Sequence, residues 1–522
     1  MQKFFNDTGT CVPSKHYMVD TGAKVSKIIN MIEKGQYFTI NKPRQFGKTT
    51  TIYQIINELK KNKCFFPILL SFEGIGDDIF ESENKFCKSF FKILIKNLNN
   101  SGVLNKDLFT INELEINSIE SLSSQISFLT QTIPQKLVLI IDEVDKSSNN
   151  QLFVSFLGML RSKFLSAQND MDFTFYSVVL AGVHDVKTLK MKINPENPGK
   201  QNSPWNIATD FLIDMTFKSN EIATMLMAYC EDRKVSMDIQ IISEKIFFYT
   251  SGYPYLVSKI CKIIDEILIP NKKVFTWNIE AVEESSKYLT NKNYSSTIFD
   301  DLIKNLENHK DLYDLIFEIS INASSKSYTI SNPVVNLGIV YGILKDNLGW
   351  CQIQNLIFEQ RIYDYMLSKV ETSNQYVVLD HSSFYTETGL NMKQILRKFQ
   401  QFIKENYATK DIQFLEREGR LLFLSFIKPI INGVGHDFKE SVIGNERRMD
   451  IQISYLTEKY ILELKRWNGE IYHQKGLVQL SDYLELNTMK EGFLLIFDFR
   501  KEKEYKEETI VHNQKEIFTI WV

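Results

Sequence analysis

Residues 37–50, Tyr37-Phe38-Thr39-Ile40-Asn41-Lys42-Pro43-Arg44-Gln45-Phe46-Gly47-Lys48-Thr49-Thr50, constrain this chain more than any other stretch. A short apolar run leads into a polar turn, then Gly47-Lys48-Thr49, then a helical pattern through Ile52, Ile55, Ile56 and Leu59. Strand, loop and helix in that order point backbone N–H groups and the positive end of a helix at an anion. The pattern predicts a phosphate loop built from Arg44, Gln45, Phe46, Gly47, Lys48, Thr49 and Thr50. Lys48 neutralises the phosphates and the Thr49 hydroxyl is a Mg²⁺ ligand. One departure is plain: the first glycine of G-x-x-x-x-G-K-[ST] is replaced by Lys42.

Residues 137–146, Leu137-Val138-Leu139-Ile140-Ile141-Asp142-Glu143-Val144-Asp145-Lys146, supply the second half of such a site. Five consecutive aliphatic residues suit a central parallel strand buried on both faces. Such a strand delivers the residues at its C-terminal end to the ligand crevice. Asp142 is placed to hold Mg²⁺ and Glu143 to orient and deprotonate water. With Gly-Lys-Thr upstream, the pair reads as a nucleotide-binding site rather than an acidic surface turn after a core strand.

The 522 residues suffice for about three or four domains. The expected divisions are a nucleotide-binding core over 1–215, a helical lid over 216–294, a winged-helix-like connector over 295–385 and a second α/β unit over 386–522. A net charge of −3 provides no global basic field, so contact with nucleic acid must come from local patches. The six cysteines contain no C-x-x-C pair, which favours reduced thiols and disfavours structural zinc. The N-terminal residues lack the apolar core of a signal peptide, and no apolar run reaches the ~18 residues of a membrane span. The expectation is a soluble, cytoplasmic protein with no membrane partner.

Taken in order, a helix through Val25, Ile28, Ile29 and Ile32 is closed by Gly35 ahead of the phosphate-loop strand. Residues 65–72 read as the next strand, 79–133 as helical up to Pro134, and 153–160 as a helix ending near Arg161. Residues 175–183 form a further buried strand that delivers His184 and Asp185 to the same end of the sheet. Strands alternating with helices mean a doubly wound α/β domain. Arg161 reads either as an arginine finger for a neighbouring subunit of a homo-oligomer or as a helix-end cation held by the helix dipole. Residues 188–206 read as a loop or lid. Gly252 and Pro254 interrupt the helical run 217–290, as an adenine-facing turn or a plain helix–helix turn. Residues 295–370 read as helices followed by a small hairpin, with no basic recognition helix.

From 413 onward the pattern changes. Residues 414–428 read as a helix stopped at Pro429. Met449, Ile451, Ile453 and Tyr455 then alternate with Asp450, Gln452 and Ser454. After a turn at Thr457-Glu458 the chain returns as Tyr460-Ile461-Leu462-Glu463-Leu464-Lys465, placing Glu463 and Lys465 on one face. The expected packing puts Ile451, Ile453, Leu462 and Leu464 under a helix over 477–486, whose Gln479 and Tyr483 share a face at i,i+4. An acid opposite an E-x-K strand suits divalent-dependent phosphodiester cleavage. Asp450 and Glu463 would hold Mg²⁺, with Mn²⁺ as an alternative, and Lys465 would neutralise developing charge.

With both sites laid out, the chain resembles a two-part bacterial family, an AAA-like P-loop ATPase domain carrying a C-terminal PD-(D/E)XK nuclease-superfamily domain. The N-terminal resemblance covers about residues 5–260. It is carried by His16-Tyr17-Met18-Val19-Asp20, the 37–50 loop, Ile140-Ile141-Asp142-Glu143-Val144-Asp145-Lys146 and Leu180-Ala181-Gly182-Val183-His184-Asp185. In that family the position held by Lys42 is commonly basic. The C-terminal resemblance runs from about 415 to 500, through Gly419-Arg420-Leu421-Leu422-Phe423-Leu424, Arg448-Met449-Asp450, Ile461-Leu462-Glu463-Leu464-Lys465 and Gln479 to Tyr483. The resemblance implies an α/β/α nuclease-like domain with Asp450, Glu463 and Lys465 as its D…E-x-K. Gln479 and Tyr483 are similar to the Q-x-x-x-Y helix of its exonuclease-like branch, and Glu416 or Glu418 completes the site. The expected function is an ATP-hydrolysing switch or motor coupled to Mg²⁺-dependent cleavage of nucleic acid, DNA before RNA, in defence or repair. The rival is a signalling ATPase whose nuclease-like domain reads nucleic acid without cutting.

Overall fold

The computed structural model describes residues 2–72, 77–100, 116–144, 151–183, 205–291, 293–320, 325–373, 384–406, 412–431, 435–439, 450–455, 458–500 and 504–522. They divide into two compact units. One is Met1–Leu302 with Ser331–Lys345 and Gln354–Ile357; the other is Ile303–Ile330 with Asp346–Ile353 and Phe358–Val522.

In the first unit, α1 (Gly22–Glu33) leads to β1 (Tyr37–Asn41), and Gly35, at φ 67°, makes the left-handed turn between them. Next come α2 (Lys48–Lys61), β2 (Phe65–Ser71), α3 (Glu83–Asn100), α4 (Ile119–Thr132), β3 (Lys136–Asp142), α5 (Gln151–Ala167) and β4 (Ser177–Gly182). The strands form a parallel sheet in the order β1-β4-β3-β2. Pro67 cannot donate to a ladder, and β2 accommodates it because it is an edge strand. Residues of β3 from Leu137 to Asp142 are all buried, as a central strand covered on both sides requires. One face packs Ile68, Leu139, Ile141 and Leu180 against Phe86, Phe90, Leu122, Ile126, Phe153 and Phe156 of α3, α4 and α5. Each such side chain contributes about 1.5–3 kcal/mol when fully buried. The result is the expected P-loop-type α/β fold with a parallel sheet.

One expectation needs correction. The α5 helix runs through to Ala167, so Arg161 sits inside it and not at its end. Its helix-dipole reading therefore fails, because the dipole acts only within the last turn. His184, Asp185 and most of the 188–206 loop lie outside the described residues.

Helices Ser219–Arg233, Ile239–Thr250, Pro254–Ile263 and Ile279–Thr290 come next, with a π-helical turn at Ile264–Leu268. The N-terminal segment is fastened to them. Asp7 is paired with Lys259 at 2.6 Å and Lys262 at 2.7 Å, and Phe5 stacks on Tyr229 with ring centroids 5.1 Å apart. Beyond them, helices Thr297–Asn308, Lys310–Ser320 and Pro333–Val340 precede a two-stranded sheet of β5 (Leu344–Asn347) and β6 (Trp350–Ile353). Helix Pro333–Val340 carries no charged residue.

The second unit holds a six-stranded sheet built from β7 (Gly435–Lys439), β8 (Asp450–Tyr455), β9 (Glu458–Arg466), β10 (Glu491–Phe497), β11 (Glu507–His512) and β12 (Lys515–Trp521), in the order β11-β12-β10-β9-β8-β7. The central strands β9, β10 and β12 are parallel, and the outer pairings are antiparallel. Helix Glu470–Leu486 covers one face. Its Leu477, Leu480, Tyr483 and Leu484 pack with Ile461, Leu494, Ile496, Ile517 and Trp521. That is the opposite strand parity from the one expected, which placed Leu462 and Leu464 under this helix. Leu462, Leu464, Phe493 and Leu495 are buried on the other face, where Phe399 of helix Met392–Asn406 meets Phe497 at 6.4 Å. Because the parallel centre is covered on both sides, apolar residues occupy both parities, and alternation alone cannot choose between them. Helix Ile412–Ile431 also passes through Pro429 instead of stopping there. Among the described residues no helix is long and apolar enough to cross a membrane, and none of the six cysteines is in a disulfide.

Candidate functional site

The phosphate loop links the end of β1 to the first turn of α2. Gln45 and Gly47 adopt left-handed φ of 55° and 78°, which turns successive N–H groups toward one side. Gly47 is the N-cap of α2, so the free N–H groups of a helix start at Lys48 face the same space. Lys48 is 8% exposed, and its Nζ donates to the carbonyls of Lys42 and Pro43, each at 2.8 Å. Thr49 Oγ1 donates to Asp142 Oδ2 at 3.0 Å, bringing the hydroxyl and the carboxylate expected to hold Mg²⁺ into contact. Oδ1 of Asp142 accepts from the N–H of Glu143 at 2.9 Å. Glu143 itself has φ 58°, a left-handed conformation uncommon outside glycine and concentrated at functional sites. Thr50 Oγ1 accepts from the N–H of Cys11 at 3.1 Å, which brings the N-terminal segment to the loop.

The neighbours of the loop were not legible in the sequence. Tyr253 donates its hydroxyl to Arg44 O at 2.8 Å, and its ring meets Phe46 edge-on at 4.8 Å. The turn at Gly252–Pro254 therefore faces the phosphate loop. Burial raises the Tyr253 hydroxyl pKa well above the ordinary tyrosine range, so it remains a donor. Arg44 reaches Asp301 at 3.1 Å and Gln45 Nε2 reaches Thr297 Oγ1 at 3.0 Å. Gly342, at φ 69°, lies so close to Pro43 that a Cβ there would sit 2.6 Å from Pro43 Cγ. Burial lowers the Lys42 pKa, which Asp214 partly opposes. The Lys42 Nζ lies over the Phe211 ring, 5.8 Å from its centroid.

In the second unit, Asp450 stands directly opposite Glu463 in the antiparallel register of β8 and β9. Same-face residues so paired are neighbours. The Glu463 carboxylate is 1% exposed; Oε1 lies 2.6 Å from Lys465 Nζ, and Oε2 has no hydrogen-bond partner among the described residues. Lys465 Nζ also donates to Gln479 Oε1 at 2.7 Å. The reversed parity makes this possible, since helix Glu470–Leu486 covers the face that bears Glu463 and Lys465. Tyr483 does not join them in this arrangement: its ring lies in the core cluster, and its hydroxyl has no partner among the described residues. The side chains of Asp450, Glu416 and Glu418 lie outside the described residues, so the structure does not choose between the two glutamates. Arg420, next in the helix, donates to Leu464 O at 3.1 Å. Burial pulls its guanidinium pKa down to about 10 against the opposing field of Glu463, and it remains a cation at neutral pH.

The unpartnered, buried Oε2 of Glu463, on the residue in backbone register with Asp450, fits a divalent cation. Among the described residues no cluster of three or more His, Cys, Asp or Glu side chains could hold a metal ion.

Residues 8–329 match the family model described as an AAA-like domain. That match ends ahead of β7–β12. No curated protein matches the chain. Among solved structures, the chain is similar to a Walker-type ATPase of Pyrococcus abyssi at 11% identity and a TM-score of 0.46, over 69% of this chain and 99% of that one. It is similar to the Aeropyrum pernix ORC2 protein at 11% identity and 0.38, over 67% and 93%. The Thermotoga maritima RuvB Holliday junction branch migration motor is matched at 15% identity and 0.32, over 64% and 92%.

Proposed function

The chain belongs to the AAA-like domain family, and from that premise we propose that it is a P-loop ATPase whose nucleotide cycle drives or gates Mg²⁺-dependent cleavage of nucleic acid, DNA in the first instance. In this reading 1–215 binds and hydrolyses ATP, 216–294 reports the nucleotide state, 295–385 connects, and 386–522 cuts.

At the ATP site, the loop N–H groups hold the phosphates, and Lys48 exchanges the carbonyls of Lys42 and Pro43 for phosphate oxygens. Thr49 and Asp142 would hold Mg²⁺, and Glu143 orients the attacking water. Tyr253, Thr297 and Asp301 touch the loop backbone or its side chains, so a loop that moves on binding phosphate moves what they belong to.

The observation that carries the cutting reading is the Glu463 carboxylate, buried, half-paired with Lys465 and opposite Asp450. A divalent ion bound by Asp450 and Glu463 would polarise the scissile phosphate and lower the pKa of a bound water. Lys465, held by Gln479, places its charge where the pentacovalent phosphate gains negative charge. The test is incubation of purified protein with plasmid and linear DNA in Mg²⁺ or Mn²⁺, with and without ATP, against Glu463→Gln. Binding without divalent-dependent scission would favour the non-cutting reader instead.

A further inference from the structure

The tip of the phosphate loop, Pro43 to Phe46, is held from outside at every residue. Gly342 packs on Pro43, and the Tyr253 hydroxyl donates to Arg44 O at 2.8 Å. Arg44 Nη1 donates to Asp301 Oδ2 at 3.1 Å, and Gln45 Nε2 donates to Thr297 Oγ1 at 3.0 Å. The Phe46 ring meets that of Tyr253 edge-on. Thr297 and Asp301 are four apart in helix Thr297–Asn308, so they present one face to the loop. They lie 252 and 257 residues beyond the loop residues they hold, in the segment read from the sequence as a connector.

Gln45 gives these contacts a task. Its φ of 55° is left-handed, a conformation that a residue with a Cβ resists and glycine does not. Such a backbone persists where its surroundings hold it, and it is concentrated at functional sites. Here it helps turn successive loop N–H groups toward one side, the arrangement that cradles an anion. The Arg44–Asp301 pair does little for folding, since the arginine side chain is 73% exposed and ion pairs so placed contribute little. Nor does a carboxylate beside a phosphate site help through its charge, because it repels the ligand. Burial, and after it the field of Asp301, raises the Tyr253 hydroxyl pKa, which places this carboxylate by the same turn that grips the Arg44 carbonyl. What is left for Asp301 is to hold Arg44.

We propose that Thr297 and Asp301 are positioning residues of the ATP site, holding the phosphate loop through Gln45 and Arg44 in the conformation that receives the β- and γ-phosphates. The inference rests on the ATP-binding reading and takes nothing from nucleic-acid cleavage. Thr297 fixes the side chain of the residue with the left-handed backbone. Asp301 and Tyr253 grip Arg44 by its guanidinium and its carbonyl. A loop already ordered loses less conformational freedom when phosphate binds. Removing these holds therefore weakens binding without removing a phosphate contact. By linkage, bound nucleotide tightens the seat of this helix on the loop by the same factor.

The test measures ATP affinity of the full-length protein by titration calorimetry. Thr297→Val removes the hydroxyl at nearly constant volume, and Asp301→Ala removes the carboxylate. Each should weaken ATP binding by about three- to tenfold with the circular-dichroism melt unchanged. Thr297→Ser and Asp301→Asn keep an acceptor oxygen for Gln45 or Arg44 and should bind ATP within about twofold of wild type. In a Gln45→Gly background the left-handed turn needs no hold, so Thr297→Val should have no further effect, a coupling that a double-mutant cycle reads directly. If Asp301 acted only through its charge, Asp301→Ala and Asp301→Asn would both bind ATP more tightly than wild type, and that result would overturn its role. Wild-type affinity in Thr297→Val, or an equal loss from it in the Gln45→Gly background, would overturn the role of Thr297. Failure of the wild-type protein to bind ATP would remove the ATP-binding reading and this inference together, whereas wild-type binding left unaltered in both variants removes the inference alone.

Discussion

Thr49 and Asp142 lie 93 residues apart in sequence and meet at 3.0 Å, the threonine hydroxyl donating to Oδ2 of the carboxylate. The contact joins the first turn of α2 to the end of β3. It makes a single site of two motifs that, read separately, are a common tripeptide and an acidic strand end. Lys48 completes it from the loop side, held by two carbonyls that a phosphate would displace.

Lys48→Ala should weaken ATP binding by roughly 100-fold or more, since each charge-assisted hydrogen bond it would make contributes about 1.5–3 kcal/mol. Glu143→Gln should bind ATP normally and fail to hydrolyse it, because the base is lost while the phosphate cradle remains. Titration calorimetry and phosphate release separate the two. Unchanged affinity in Lys48→Ala would sink the assignment.

Much of the first unit was legible because its signals are local. Gly47-Lys48-Thr49, the aliphatic run into Asp142 and the alternation of strands with helices are each read within about ten residues. What could not be read was long-range. Tyr253 reaches the loop from 209 residues away, and Gly342 touches Pro43 from a segment read as part of the connector. In the second unit, the register of Asp450 with Glu463 is set by a short hairpin, but which face the last long helix covers is not. Ile461, Leu462 and Leu464 are all apolar because both faces are buried, so the pattern carried no parity. Arg420 entered only within the 419–424 motif, with no role of its own, since a single basic residue on an amphipathic helix reads as ordinary surface or core.

Gly342→Ala tests the packing beneath the loop. A Cβ would lie 2.6 Å from Pro43 Cγ, on a backbone whose φ of 69° already disfavours a side chain. The expected cost is about 1–3 kcal/mol in stability. ATP affinity should fall as well, because displacing Pro43 moves a carbonyl that positions Lys48. Chemical denaturation and nucleotide titration measure the two effects, and wild-type values in both would refute the close contact.

Asp7 predicts an acid dependence. Burial alone would raise its pKa, but hydrogen bonds from Lys259 and Lys262 outweigh that and hold the carboxyl below its ordinary 3.8. A carboxyl depressed in the folded state contributes stability above its unfolded pKa and loses it as pH falls through the folded value. Asp7→Asn should therefore cost about 1–3 kcal/mol at neutral pH, less than a fully buried pair because both lysines keep some solvent. The gap between variant and wild type should close below pH 3.8. Denaturation curves at pH 7 and pH 3 give the answer, and a pH-independent gap would mean that the pairing is not the source.

The remaining prediction concerns cutting. Glu463 is a carboxylate at 1% exposure with one oxygen on Lys465 and the other without a partner among the described residues. A buried anion is costly unless it is paired and hydrogen-bonded, and the residue in backbone register with it, Asp450, is a second acid. A divalent ion relieves both at once, so DNA scission should require Mg²⁺ or Mn²⁺ and stop with chelator. Glu463→Gln and Asp450→Asn should reduce scission by about 100-fold or more while the fold is retained, since each removes charge but little volume. Gln479→Ala leaves the acids in place and frees only the lysine they work with. It should cost about tenfold, chiefly in kcat, because a mispositioned cation binds the substrate but stabilises the transition state poorly. If the sites are coupled, Glu143→Gln should change the extent of scission with ATP present and leave it unchanged without ATP. Equal scission by wild type and Glu463→Gln, alongside undiminished DNA binding, would identify the second unit as a reader of nucleic acid rather than a nuclease.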